Sequence, residues 1–372
     1  MKDRSNLPRR EWLRSTIQTA ALGLPISSIL RTSSGLAASL LVGPDLPKVA
    51  VSAVRRVFHN GEHNAFTDLC RYRGQLYLTF RSCPDGHMVH PTASIIVLRS
   101  PDGGKWDEAH RFRVEQRDTR DPHFLVFKGK LFVYTGTWYT GKSSPPRESY
   151  DLNQHLGYAA WTEDGTRWHS PILLEGTFGH YIWRAAVLGE KAYLCGRRKP
   201  AFEITSRGEP ASVEALMLES DDGLIWRKKG VFQESSGDET AFLFEPDGSV
   251  LGVGRDGGGK EARLLRSRPP YANWQRTSLD RSIGGPLLTK WGKRYVVGGR
   301  KKTEDRGPKT SLCWLADDRL TEFAELPSGG DNSYPGLVEM SPTRALVSYY
   351  SSHEKDASGK PITAIYLAEL SL

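Results

Sequence analysis

Cysteine and methionine are both scarce in this chain, at four residues each among 372. Cys70, Cys83, Cys195 and Cys313 fall at none of the short spacings that hold a structural zinc ion or an iron–sulfur cluster, so neither a metal nor a cofactor is expected. Cys70 and Cys83 flank one predicted hairpin: in an oxidising compartment they could be bridged, and as buried free thiols on strands they would act as small apolar residues. Past the N-terminus no apolar run is long enough to cross a bilayer as a helix, and no stable membrane association is expected. A Lys/Arg stripe interleaved with aromatics is lacking too. The formal charge of +8 is concentrated at one end, where Lys2, Arg4, Arg9, Arg10, Arg14 and Arg31 stand against Asp3 and Glu11. Without residues 1–38 the net charge is +4, which is too mild and too dispersed to point to nucleic acid.

The basic N-terminus has an order of its own. Arg9-Arg10-Glu11-Trp12-Leu13-Arg14 precedes a modestly apolar stretch over residues 19–30, and small residues follow at Gly35-Leu36-Ala37-Ala38. Charged region, apolar region and cleavage zone resemble a twin-arginine signal peptide over residues 1–38. That resemblance implies the twin-arginine export machinery as a partner and a periplasmic or secreted destination. Residues 39–47 read as a linker and 48–372 as one folded domain. Abundant Gly and Pro, 37 and 22 residues, with aromatics at 10%, suit a large all-β domain.

Two repeat series organise that domain. The first is Ser/Thr-x-Asp-Gly-x-x-Trp, at Ser100–Trp106, Thr162–Trp168 and Ser220–Trp226, with starts 62 and 58 residues apart. Asp-Gly suits a tight turn, the hydroxyl and carboxylate can accept nearby backbone N–H groups, and the Trp is an apolar lid. The second series is six strand pairs, each pair joined by a tight turn; their second strands include Leu76–Arg81, Leu131–Gly136, Ala192–Arg197, Val250–Arg255, Tyr295–Arg300 and Ala345–Tyr350. Six such units predict an all-β, six-bladed propeller, with residues 48–58 pairing with the last blade to close the ring.

Antiparallel pairing sets the start of each first strand beside the end of each second one, which assembles a funnel on one face. The residues placed there include Asp68, Arg81, Arg120, Asp121, Trp183, Arg184, Arg197, Glu239, Arg255, Arg300, Tyr334 and Tyr350. Such a set of guanidiniums, carboxylates and a phenol suits an anionic substrate.

The three Asp-Gly turns resemble the Asp-box, or BNR repeat, of the sialidase superfamily. In that family a Tyr activated by a Glu attacks the anomeric carbon, an Asp is the acid/base, and three Arg clamp a carboxylate. The resemblance implies that Tyr334 in Asp331-Asn-Ser-Tyr334-Pro is the nucleophile, Glu239 its base, and Arg255 and Arg300 two arms of the clamp. Two departures are visible. Thr67, in Asn64-Ala-Phe-Thr67-Asp68-Leu, stands where the family has the first clamp Arg. The acid/base region reads Arg81-Ser-Cys-Pro-Asp85-Gly-His87-Met-Val-His90, which puts His87 near the acid's place, with Asp85 and His90 as rivals and Asp68 and Asp121 in reserve. Histidine titrates near neutrality and suits a proton donor. The reading is therefore an exported glycoside hydrolase acting on an anionic glycan, sialic acid-like, uronate or sulfated. Two alternatives remain: a propeller polysaccharide lyase using His, Tyr and Arg, and a non-catalytic glycan-binding propeller.

Overall fold

The computed structural model describes residues 46–203 and 212–372. The leader read in residues 1–38 and most of the linker read in 39–47 lie outside these residues. Within them, six four-stranded antiparallel sheets follow one another along the chain as the blades of a propeller. The innermost strands are His63–Tyr72, Arg117–Phe127, Tyr181–Leu188, Gly237–Phe244, Gly284–Trp291 and Asn332–Ser341. Ala50–Phe58 is the outermost strand of the sixth blade and pairs antiparallel with Pro361–Ser371. Among the described residues no helix is long and apolar enough to cross a membrane. All four cysteines are free thiols, so Cys70 and Cys83 are not bridged.

The core lies between successive blades. Tyr77, Val97 and Phe112 of blade one meet Phe124, Leu131 and Val133 of blade two, and Leu287, Trp291 and Trp314 of blade five meet Val347, Tyr349 and Tyr366 of blade six. Each Asp-box turn links the third and fourth strands of its blade. Ser100, Thr162 and Ser220 accept the N–H of Gly103, Gly165 and Gly223 at 2.9, 2.9 and 2.8 Å, while Asp102, Asp164 and Asp222 accept N–H groups further round the turn. The glycine carbonyls face neighbouring blades: Arg99 of blade one reaches Gly165 at 3.1 Å and Tyr134 of blade two reaches Gly223 at 2.9 Å. Blade four keeps a worn version of the turn, in which Trp274 donates to the Tyr271 carbonyl at 3.0 Å as Trp106 donates to Gly103.

All six inner strands bulge at the same height. Phe66-Thr67, Asp121-Pro122, Trp183-Arg184, Asp238-Glu239, Gly285-Pro286 and Tyr334-Pro335 each set two residues against one on the second strand. A bulge bends its strand and re-aims a side chain, so the ring of bulges forms the funnel floor. It also shifts the expected pairings: Arg81 faces Ala65, Arg197 faces Tyr181, Arg300 faces Gly284 and Tyr350 faces Ser333.

Candidate active site

Tyr334 occupies the bulge of blade six with φ of 54°, a left-handed conformation that is costly for an aromatic residue and is held by its surroundings. Thr67 donates its hydroxyl to the Tyr334 carbonyl at 2.8 Å. The residue standing in place of the first clamp Arg therefore holds the backbone beneath the tyrosine. Trp183, only 1% exposed, meets the Tyr334 ring edge-on at 5.3 Å, and Phe66 does so at 5.0 Å. A Cβ at Gly285 would stand 2.6 Å from the same ring, so this bulge has no room for a side chain.

The Tyr334 hydroxyl donates to Glu239 Oε1 at 2.7 Å across the ring of blades. The other oxygen, Oε2, accepts from Arg255 Nη1 and from the Gly285 N–H, both at 2.9 Å. Burial alone would raise the Glu239 carboxyl; the Arg255 and Arg197 guanidiniums and the Tyr334 hydrogen bond outweigh it and keep the group ionised. Burial and the Glu239 charge push the Tyr334 phenol well above its ordinary value, opposed by Arg255 and Arg300. At rest the proton stays on the phenol. Arg300 lies over the Tyr334 ring at 5.6 Å, where it favours negative charge developing on that oxygen.

Asp238, beside Glu239, pairs with Arg197 and approaches Arg255 Nε at 3.4 Å. Asp121 holds the equivalent bulge position in blade two. Its Oδ2 accepts from Tyr181, while Oδ1 is buried without a partner. Burial pushes this carboxyl up to about 8; Arg120 and Arg197 pull it down and Glu239 adds to the rise. Asp121 is thus a neutral acid at pH 7. The guanidiniums of Arg81, Arg120, Arg197, Arg255 and Arg300 then face four carboxylates, Asp118, Asp238, Glu239 and Asp331. The imbalance is one positive charge, which suits a monoanionic group on a ligand.

Several predicted site residues are turned to other work. Arg81 is fully buried, bidentate on Asp118 at 2.9 and 3.1 Å and bonded to the Gly86 and Met88 carbonyls, so it holds the 86–88 loop and does not reach the funnel. Arg120 shares Asp118 and also binds the His87 and Met88 carbonyls. Asp68 and Arg184 lie below the floor, paired at 3.0 Å, with Arg184 also binding the Pro286 and Pro335 carbonyls at 2.9 and 2.6 Å. Arg255 and Arg300 are the more open cations, their side chains 32% and 24% exposed.

At the mouth, Asp331 is a hub that sequence reading passed over. Its Oδ2 meets His63 Nε2 at 2.9 Å and His87 Nδ1 at 2.7 Å; its Oδ1 accepts from Tyr350 at 2.8 Å and lies 3.4 Å from Arg300. Burial alone would raise this carboxyl, but the two imidazole hydrogen bonds hold it far below its ordinary value. Tyr350 is fully buried and therefore positions Asp331 without facing the funnel space. His63, His87 and Asp331 bring their ligand atoms within 4.8 Å of one another, close enough to embrace a cation. Both imidazoles point at one oxygen, however, and Arg300 attends the other, an arrangement suited to a braced hydrogen-bonded histidine more than to a divalent ion. His87 is 47% exposed, with Nε2 directed away from this contact. The clue available in sequence was Asp331 itself, three residues before Tyr334.

Fold and floor together define a sialidase-like six-bladed propeller. No protein-family profile matches the chain, and no curated protein matches it in sequence. Among solved structures, a Dyadobacter fermentans protein of unknown function is similar with a TM-score of 0.70 at 19% identity, over 88% of this chain and 100% of that one. Trypanosoma rangeli sialidase in complex with sialic acid gives 0.62 at 12% identity over 87% of this chain, and phage phi92 endosialidase 0.59 at 9% over 86%. The match spans 59% of the trypanosomal sialidase and 69% of the phage enzyme.

Proposed function

We propose that the protein is a glycoside hydrolase that removes an anionic, sialic acid-like sugar through a covalent Tyr334 intermediate. The observation that carries this reading is the 2.7 Å hydrogen bond from Tyr334 to ionised Glu239, with Arg255 on the same carboxylate and Arg300 over the phenol ring. A phenol whose proton can pass to an adjacent carboxylate becomes a competent nucleophile only as it attacks. Arg255 and Arg300 receive the substrate carboxylate as paired donors. His87, braced by Asp331, protonates the departing oxygen and then deprotonates the water that releases the sugar. Export by the twin-arginine route is part of the same proposal and rests on residues 1–38.

A carboxylate beside the tyrosine supports hydrolysis over β-elimination, in which Tyr and His would act as acid and base without such a partner. The test is release of an aryl leaving group from aryl sialosides and aryl uronides by wild type, Tyr334→Phe and Glu239→Gln. Each substitution is expected to lower kcat by about a thousandfold or more, with ligand binding largely retained. Products with an unsaturated sugar ring, or wild-type turnover that Glu239→Gln leaves intact, would reject this function.

A further inference from the structure

Beside the clamp, a cleft of about 480 Å³ opens between blades four and five, and Arg255 and Arg300 form its inner end. Its walls are the loops that follow the two second strands carrying those arginines one residue before their ends, Val250–Asp256 and Arg294–Lys301. Lys260 stands on one wall and Lys302 on the other. The walls come close: a Cβ at Gly259 would lie 3.4 Å from the Lys302 ammonium. Asp256 lines the cleft as well, but it is buried and its Oδ1 accepts the Gly258 and Lys260 N–H groups, so its charge staples the loop. Neither lysine ammonium has a carboxylate partner among the described residues. The adjacent Lys301, by contrast, pairs with Glu322 and Glu325 at 2.7 and 2.6 Å outside the cleft. The larger cavity of about 810 Å³ near Trp274 is unlike this one, since its charged groups Glu245, Arg266 and Arg268 are matched by Lys290, Asp318 and Asp247.

Two lysines on facing walls without a carboxylate partner, in a cleft whose lining includes a pair of guanidiniums, make a site with an anion missing. We propose that this cleft binds a second anionic group of the substrate, a carboxylate or a sulfate ester, so that the natural substrate is an acidic glycan carrying at least two negative charges. The inference rests on the proposed reading of Arg255 and Arg300 as the substrate clamp. One anion sits on those arginines, and the second, on the neighbouring sugar, lies between Lys260 and Lys302.

The experiment is calorimetric binding in the Tyr334→Phe background, which prevents turnover and keeps every charge. Three probes are compared: sialyllactose, with one carboxylate; an α2,8-linked disialoside, with two; and sialyllactose sulfated on its galactose. At least one doubly charged probe is expected to bind about tenfold tighter than sialyllactose, with a steeper salt dependence, and which one does so separates carboxylate from sulfate. Adding Lys260→Gln and Lys302→Gln is expected to erase that ratio; both lysines are exposed, and circular dichroism checks that the fold is retained. Equal affinities for all three probes, or a ratio that survives the double substitution, would overturn the second-anion site and leave the clamp reading standing. If no probe binds even with both lysines present, both readings fall.

Discussion

At the scale of single residues, the site separates groups by what their surroundings do to a proton. Tyr334 keeps its own and Glu239 has lost one, so the pair is set for transfer in a single direction. In the proposed reaction His87 meets the leaving group, and its substitution tests that role through the chemistry of the aglycone. His87→Ala is expected to lower kcat by about 100- to 10 000-fold on natural glycosides. On a dinitrophenyl glycoside, whose leaving group needs no proton, the formation of the glycosyl-enzyme should be nearly normal in pre-steady-state measurements. Equal losses on both substrates would remove His87 from the acid role.

Asp121 makes a second test, read in stability. Its folded value of about 8 lies above that of an unfolded aspartate, so folding takes up a proton between roughly pH 4 and 8. Stability from this group is full at low pH and lost as pH rises through 8. His123 and His180, pushed by burial down to about 4, act with the opposite sign, gaining stability as pH rises toward 6.5. The window from roughly pH 6.5 to 8 therefore reports Asp121 most directly, below the range in which Cys70, Cys195 and Cys313, whose thiols burial raises in the fold, ionise in the unfolded chain. Wild-type Tm is expected to fall across it, and Asp121→Asn, which is neutral throughout, should flatten the fall. Parallel curves for the two proteins would show that the carboxyl is ionised in the fold.

Among elements, the bulged inner strand is the device that makes the site. Blade count and turn chemistry are legible in the sequence because Asp-Gly-x-x-Trp and the strand pairs repeat within short stretches. The bulges are not legible from alternation, since one extra residue moves every pairing above it. A signal existed in Asp121-Pro122, Gly285-Pro286 and Tyr334-Pro335, for proline inside a strand belongs at an edge or a bulge. Tyr334, Glu239, Arg255 and Arg300 could be placed at the floor from the repeat. Arg81, Arg184 and Asp68 could not be told apart from them, because their burial depends on which side of the bulge they fall. Arg184 now reads as a brace that binds the Pro286 and Pro335 carbonyls and Asp68 beneath the tyrosine. Arg184→Met should leave Asp68 buried without its cation, keeping only the Phe124 N–H on Oδ2, at a cost of about 3–5 kcal/mol in urea unfolding. Adding Asp68→Asn should recover part of that loss; full additivity of the two substitutions would deny the pairing.

For the whole molecule, the ring is closed by noncovalent contacts among the described residues. Ala50–Phe58 adds the outermost strand of blade six, covering the edge of Pro361–Ser371, and its Val57 and Phe58 pack against the core that includes Leu78 and Ile365. Across the seam, Arg55 reaches the carbonyl of Gly103 in the Asp-box turn of blade one. The first and last parts of the domain are thereby stitched at the strand edge and at a neighbouring turn, while Tyr334 of blade six and Glu239 of blade four depend on the ring holding its diameter. A chain starting at residue 60 would expose the Pro361–Ser371 edge and uncover Leu367 and neighbouring apolar residues. It is expected to unfold at a lower Tm and to self-associate in size-exclusion chromatography through the exposed edge. A separate peptide spanning residues 46–59 should restore monomer and activity together, since edge and floor are one mechanical unit. Full Tm and activity in the shortened chain alone would show that the other blades hold the funnel without this closure.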